Sequence, residues 1–283
     1  MRMVVLYFMH RTGYHVVDNS PWPLAVALRL FGLTSGLVRW VHRGDLVLFW
    51  FLYAFVVLVL TLVRWWRDVV VEGVYIGCHT GYVVRGFRIG MILFILSEGA
   101  FFATFFWRFA YYTVGEWSAF SVWPPLGVEY INPWKVPLLN TALLLGSGVR
   151  VTWAHKAVVI MNSRKFEDSE WWRIQTFLGL RITIMLGLCF TFVQGYEYYY
   201  CSFTMADGVY GSCFFLITGF HGMHVIAGTI FLSVNLVRVF FYHFAEYHNY
   251  FGFDAAVWYW HFVDVIWILL FFVVYIWPVT PLN

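Results

Sequence analysis

Charge is what this chain has least of. Only 12% of its 283 residues are Asp, Glu, Lys or Arg, and 61% are hydrophobic. A soluble domain carries about 25% charged residues, so this composition cannot furnish a water-facing surface and describes an integral membrane protein. Lysine is especially scarce, three residues against fifteen arginines. The net charge of +3 comes without any Lys/Arg block, so nothing points to a nucleic-acid partner. The four cysteines, Cys78, Cys189, Cys201 and Cys213, include no CxxC pair and match no zinc-ribbon spacing; they read as small buried hydrophobes. There is no P-loop, no GxSxG and no dinucleotide fingerprint, and Gly146-Ser-Gly148 lacks the surroundings of a phosphate loop. No nucleophile–base pair can be argued, so no catalytic residue is predicted. Residues 1–20 hold a short apolar patch, Val4 to Met9, but no small-residue cleavage site and no Ser/Arg-rich transit segment. If the chain works in an organelle, the expectation is that it is made there or directed by internal signals.

What is present is long apolar runs. Segments of about 20 apolar residues are transmembrane candidates, and seven are predicted: 23–40 (interrupted by Arg29), 46–63, 83–112, 136–160, 172–198, 208–241 and 251–277, the last ended by Pro278 and Pro281. They form one domain over 23–283, preceded by an arm over 1–22. The aromatic fraction of 23% is high, with Phe inside the spans and Trp and Tyr near their ends, as in interfacial belts. Trp65-Trp66-Arg67-Asp68 is expected just after the second span, and Trp123-Pro124-Pro125 opens a turn-rich loop before the fourth. With seven spans, one side carries Arg2, Arg11, Arg64, Arg67, Arg85, Arg88, Lys156, Arg164, Lys165, Arg173 and Arg238. The other carries Arg39, Arg43, Arg108 and Lys135. The bias places the N-terminus in the matrix or cytoplasm.

Glu98 lies inside the apolar run Gly90 to Trp107. A carboxyl in hydrocarbon costs about 3 kcal/mol on insertion scales. No basic residue lies one turn away, so Glu98 is expected to be protonated or bonded to another helix. His221-Gly-Met-His224 puts two imidazoles on one face of the sixth span. Two ligands do not make a metal site, and interhelical hydrogen bonding is the simpler reading. Gly219, Gly222 and Gly228 would admit a close neighbour. His261 and Asp264, three residues apart, form a second polar pair, structural or proton-handling. The tryptophans and arginines at 64–68, with Arg238, suit topology anchoring or lipid headgroups. No metal ligand is predicted.

In order, these segments resemble subunit III of cytochrome c oxidase, the haem–copper terminal oxidase, from about His15 to the end. The likeness rests on Ser20-Pro-Trp-Pro23, Trp65-Trp-Arg-Asp68, Gly90 to Glu98, Val136-Pro-Leu-Leu-Asn-Thr141 and Ser147-Gly-Val149. It continues through Thr152-Trp-Ala-His155, Asp207-Gly-Val-Tyr-Gly-Ser212, Thr218 to His224, Phe251-Gly-Phe253 and Trp258 to Asp264. The resemblance implies an all-α membrane fold of seven helices in two groups, I–II and III–VII, forming a V-shaped lipid-filled cleft. It implies lipid contacts at Trp66, His79, Glu98, His224 and Arg238, with Glu98 at the family's carbodiimide-reactive carboxyl. The bound lipids would be phospholipids of the cardiolipin, phosphatidylglycerol or phosphatidylethanolamine kinds. The implied partners are subunit I, which holds haem a, haem a3 and copper, then subunit II and accessory subunits, with cytochrome c as substrate of the complex. This chain would hold no redox centre; it would support subunit I and proton uptake. The mitochondrial inner membrane is the expected location, with the bacterial plasma membrane as alternative.

Lys156, Val71 and Cys78 depart from the family's usual residues, as does His248-Asn-Tyr250, and these put lipid identity in question. Two other classes compete. A secondary transporter would use Glu98 and Asp264 as proton carriers, although no inverted repeat or paired broken helix is visible. A membrane metalloenzyme would use His221 and His224.

Overall fold

The computed structural model describes residues 13–43, 48–114, 128–163, 169–244 and 250–279. Residues 1–12, the Trp123–Pro125 turn, Arg164, Lys165 and Pro281 lie outside them. Among the described residues the regular structure is all helical: α1 (Trp22–Arg43), α2 (Leu48–Val74), α3 (Gly81–Val114), α4 (Val136–Ser163), α5 (Ser169–Tyr199), α6 (Gly208–Phe240) and α7 (Phe251–Leu270). Six of the seven are long and apolar enough to cross a membrane. The exception is α4, which has 28 residues but is lowered in hydropathy by Asn140, Thr141, Ser147, Arg150, Thr152, His155 and Lys156. Two of these polar groups meet indoles of α7: Trp260 Nε1 donates to Ser147 Oγ at 2.9 Å and Trp267 Nε1 to Thr141 Oγ1 at 3.0 Å. These two polar side chains are tolerated in the helix because their partners are protein, not lipid.

The chain divides into two compact units, 1–86 and 87–283. In the first, α1 pairs with α2. Arg29 does not interrupt α1. Its guanidinium donates to Val57 O at 3.0 Å and to Thr61 Oγ1 on α2, so a charge in an apolar stretch is satisfied within the unit. At the other end of the pair Trp22 Nε1 donates to Asp68 Oδ2 at 2.6 Å. The Trp65–Asp68 motif therefore sits on α2, not beyond it. Hydropathy falls after Val63, but no residue breaks the helix before Gly73, and helix length need not equal bilayer thickness. At 34 residues α3 is about 51 Å long, far more than a 30 Å hydrocarbon core requires.

The core belongs to the second unit and centres on α7, where Trp260 and Trp267 are fully buried. Small residues let the helices close around Trp260. A Cβ at Gly187 of α5 would stand 2.7 Å from the indole, and one at Gly228 of α6 would stand 2.9 Å from it. Of the three α6 glycines expected to admit a neighbour, Gly228 meets one among the described residues of this chain. A Cβ at Gly222 would meet nothing within 4 Å, and one at Gly219 only an ordinary contact at 3.9 Å. α7 continues through a widened π-helical turn, Phe271–Ile276, into a 3₁₀ turn at Trp277–Val279. Pro278 explains the change of pitch: it donates no N–H and its ring presses on the carbonyl one turn back. The Trp277 N–H accordingly reaches back to Phe272 O.

Candidate functional site

Glu98 projects from α3 toward α6, and His224 meets it: Nε2 to Oε2 is 3.0 Å. The other ring nitrogen, Nδ1, faces Phe220 O at 2.7 Å. A carbonyl only accepts, so Nδ1 carries a hydrogen. The pairing gives a carboxyl in an apolar helix a protein partner, which makes it tolerable in hydrocarbon. Phe102 packs edge-on to the imidazole at 5.0 Å and Tyr259 stacks on it at 6.2 Å, so α3, α6 and α7 share the site. Side-chain exposures of 15% for His224 and 26% for Glu98 leave it open on one side.

The two histidines of α6 diverge. His221 is completely buried and donates from Nε2 to Val263 O at 3.2 Å. His224 serves α3. They share no ligand position, and hydrogen bonding between helices accounts for both. His261 and Asp264 approach to 3.7 Å, an ion-pair rather than a hydrogen-bond distance. Thr152 Oγ1 on α4 lies 3.3 Å from His261 Nε2. Asp264 is seated against Gly148, where a Cβ would come within 2.6 Å of Oδ2.

Of the remaining expected residues, Trp66 and His79 belong to the first unit and Arg238 to the second. Trp66 is 66% exposed on α2, as a headgroup-level indole should be. His79 sits in the α2–α3 connection. Arg238 ends α6 with its guanidinium 4.4 Å over the Phe244 ring and Nη1 against Gly252. It also closes one end of an apolar groove of about 480 Å³, lined by Leu188, Ile226, Ile230 and Val237. Beside it, burial and the Arg238 charge lower the affinity of His243 for a proton.

Two clusters escaped the sequence reading. Asp254 at the start of α7 is buried between His155 Nε2 at 2.9 Å and Arg88 Nη2 at 3.4 Å. The signal was present in Thr152-Trp-Ala-His155, but the partners lie 99 and 166 residues away. Glu197, near the end of α5, accepts from Tyr275 OH at 2.6 Å and from Gln194 Nε2 at 3.3 Å, and Asn140 donates to Gln194 Oε1 at 3.1 Å. A carboxylate near a helix end reads as interfacial, yet this one is 5% exposed.

A multi-span, all-α membrane protein with a carboxyl–imidazole tether between its helices is the class these features define. The chain matches the Cytochrome c oxidase subunit III family profile over residues 12–279. It is 48% identical over 269 residues to Cytochrome c oxidase subunit 3 of Pisaster ochraceus, covering 95% of this chain and 98% of that one. It is 51% identical over 271 residues to the protein of the same name from Xenopus laevis, covering 94% and 97%. The Petromyzon marinus protein is 49% identical over 266 residues, again with 94% and 97% coverage. The chain therefore belongs to the cytochrome c oxidase subunit III family. It is a subunit of an oxidoreductase complex.

Proposed function

We propose that this chain is a non-redox core subunit that holds subunit I and its proton-uptake path in working shape while binding structural phospholipid. The electron path, from cytochrome c through copper and the haems to oxygen, belongs to subunits I and II. The observation that carries this reading is the closure of Glu98 on His224. A carboxyl already paired within its own chain ties α3 to α6; a transporter's carrier needs access to both faces. Trp66, His79, Glu98, His224 and Arg238 are the lipid contacts. The groove that ends at Arg238 supports this assignment, because an acyl chain fits its apolar wall and a phosphate suits its cationic end. The setting is the mitochondrial inner membrane, with the N-terminus on the matrix side, as the arginine distribution indicates.

The test is Glu98→Gln in the assembled oxidase. Reduced-minus-oxidised spectra should retain the full haem a bands, while activity decays faster during sustained turnover. Loss of the haem bands would overturn the reading. Substrate flux into liposomes holding this chain alone would favour the transporter instead.

A further inference from the structure

Three metal-capable side chains converge in the first unit. His15 on the N-terminal segment, Glu72 in the last turn of α2 and His79 in the α2–α3 connection each place one ligand atom within 4.8 Å of the others. Each is held there by a separate device. After α2 the backbone folds back on itself, with Ile76 N donating to Val71 O at 3.2 Å and Cys78 N to Glu72 O at 3.0 Å. Gly77 takes the left-handed conformation, φ +71°, that this reversal needs. His79 thereby returns over the helix end, and Gly73 makes room for it. A Cβ there would stand 2.5 Å from His79 Nδ1 and 2.8 Å from Cε1. The N-terminal segment is fastened to the same connection by Thr80 Oγ1 donating to Gly13 O, and to the first turn of α3 by Tyr14 packing on Tyr82 at 5.8 Å. These contacts bring the His15 ring edge-on to His79 at 6.3 Å, with Nδ1 3.9 Å from Glu72 Oε2.

The geometry points to a divalent-cation site of the zinc class formed by His15, Glu72 and His79. Two imidazoles and a carboxylate are a zinc ligand set that leaves a fourth position for water or a phosphate oxygen. Nitrogen donors disfavour magnesium and calcium, which take oxygen. An ion centred in a triangle of 4.8 Å edge is at most about 2.8 Å from each atom, so each ligand must close by roughly 0.7 Å to reach a zinc bond. Side-chain rotation supplies that much. The carboxylate offsets part of the ion's charge, and partial burial, 11% exposure for His15 and 29% for Glu72, limits competition from water. The site shares no residue with the Glu98–His224 tether, but it claims for an ion the His79 ring that the proposal above gives to lipid, and the experiment separates the two.

The experiment uses the purified, chelator-stripped oxidase in detergent. Diethylpyrocarbonate modification of individual histidines is followed by peptide mass spectrometry, with and without micromolar Zn²⁺. Zinc should protect His15 and His79 together, by tenfold or more, and leave exposed His42 unchanged. Equal modification rates with and without zinc would overturn the proposal. So would protection of His79 by phosphatidylglycerol vesicles but not by zinc, which would give the ring to a headgroup. In Glu72→Gln and Gly73→Ala complexes that keep their haem a bands, bound zinc should fall by one per complex. Unchanged zinc in both would be equally fatal.

Discussion

At the residue scale, Glu98 and His224 are a unit. Removing one leaves the other in hydrocarbon without its partner. A polar contact between membrane helices contributes about 1 kcal/mol, so His224→Phe should lower the thermal midpoint only modestly. Its clearer effect is chemical. With no imidazole against it, Oε2 of Glu98 is left open to a carbodiimide. Mass spectrometry of the α3 peptide should find Glu98 labelled several-fold faster in His224→Phe; slower or equal labelling would contradict the closure of His224 on Glu98. His243, outside the spans, supplies a pH dependence. Burial and the nearby Arg238 charge hold its proton affinity below the ordinary histidine value. The unfolded ring takes up a proton as pH falls through about 6.5, and the folded ring resists. Stability from the neutral ring is therefore complete above that pH and is lost below it. The thermal midpoint should fall more between pH 7.5 and 5.5 in the wild type than in His243→Gln. Glu98, the two α6 histidines and the His261–Asp264 pair were legible as residues because polarity in an apolar run is conspicuous. Their partners were not, because nothing local couples Glu98 to a ring 126 residues away.

At the scale of elements, apolar length located every helix, and the errors lie at the ends. α2 runs to Val74 where hydropathy stopped at Val63, because water-exposed turns remain helical when nothing breaks them. Arg29 looked like an interruption of α1 only while its acceptors on α2 were out of view. Glycine was ambiguous in the same way. Gly187, which had drawn no notice, and Gly228 both face the Trp260 indole, whereas a Cβ at Gly222 would meet no described atom of this chain within 4 Å. Placing a side chain at either packed position should cost about 1–3 kcal/mol by overpacking. Gly228→Val should therefore lower the thermal midpoint of the complex by several degrees while Gly222→Val leaves it within error. Equal effects would show that α5, α6 and α7 do not close around that indole.

For the whole molecule, composition alone established the membrane class, and the order of the motifs established the family. The division into units at residue 86 could not be read from hydropathy, because α3 is one unbroken apolar helix across that point. The proposed topology, with all seven helices spanning and the N-terminus in the matrix, puts three crossings between Cys78 in the α2–α3 connection and Cys201 in the α5–α6 connection, and so puts these two cysteines on opposite faces. A membrane-impermeant maleimide added outside mitoplasts should label Cys201 and spare Cys78; inverted vesicles, opened briefly with mild denaturant to reach the buried Cys78 thiol, should reverse the pattern. Labelling of Cys78 from outside would invert the topology. The tether also sets a schedule for synthesis. Glu98 emerges 126 residues before His224, which at 5–20 residues per second is a wait of about 6–25 s. During that interval a lone carboxyl must be kept in or beside the bilayer by its phenylalanine-rich flanks or by the insertion machinery. A nascent chain arrested before α6 is therefore the form most exposed to membrane quality control.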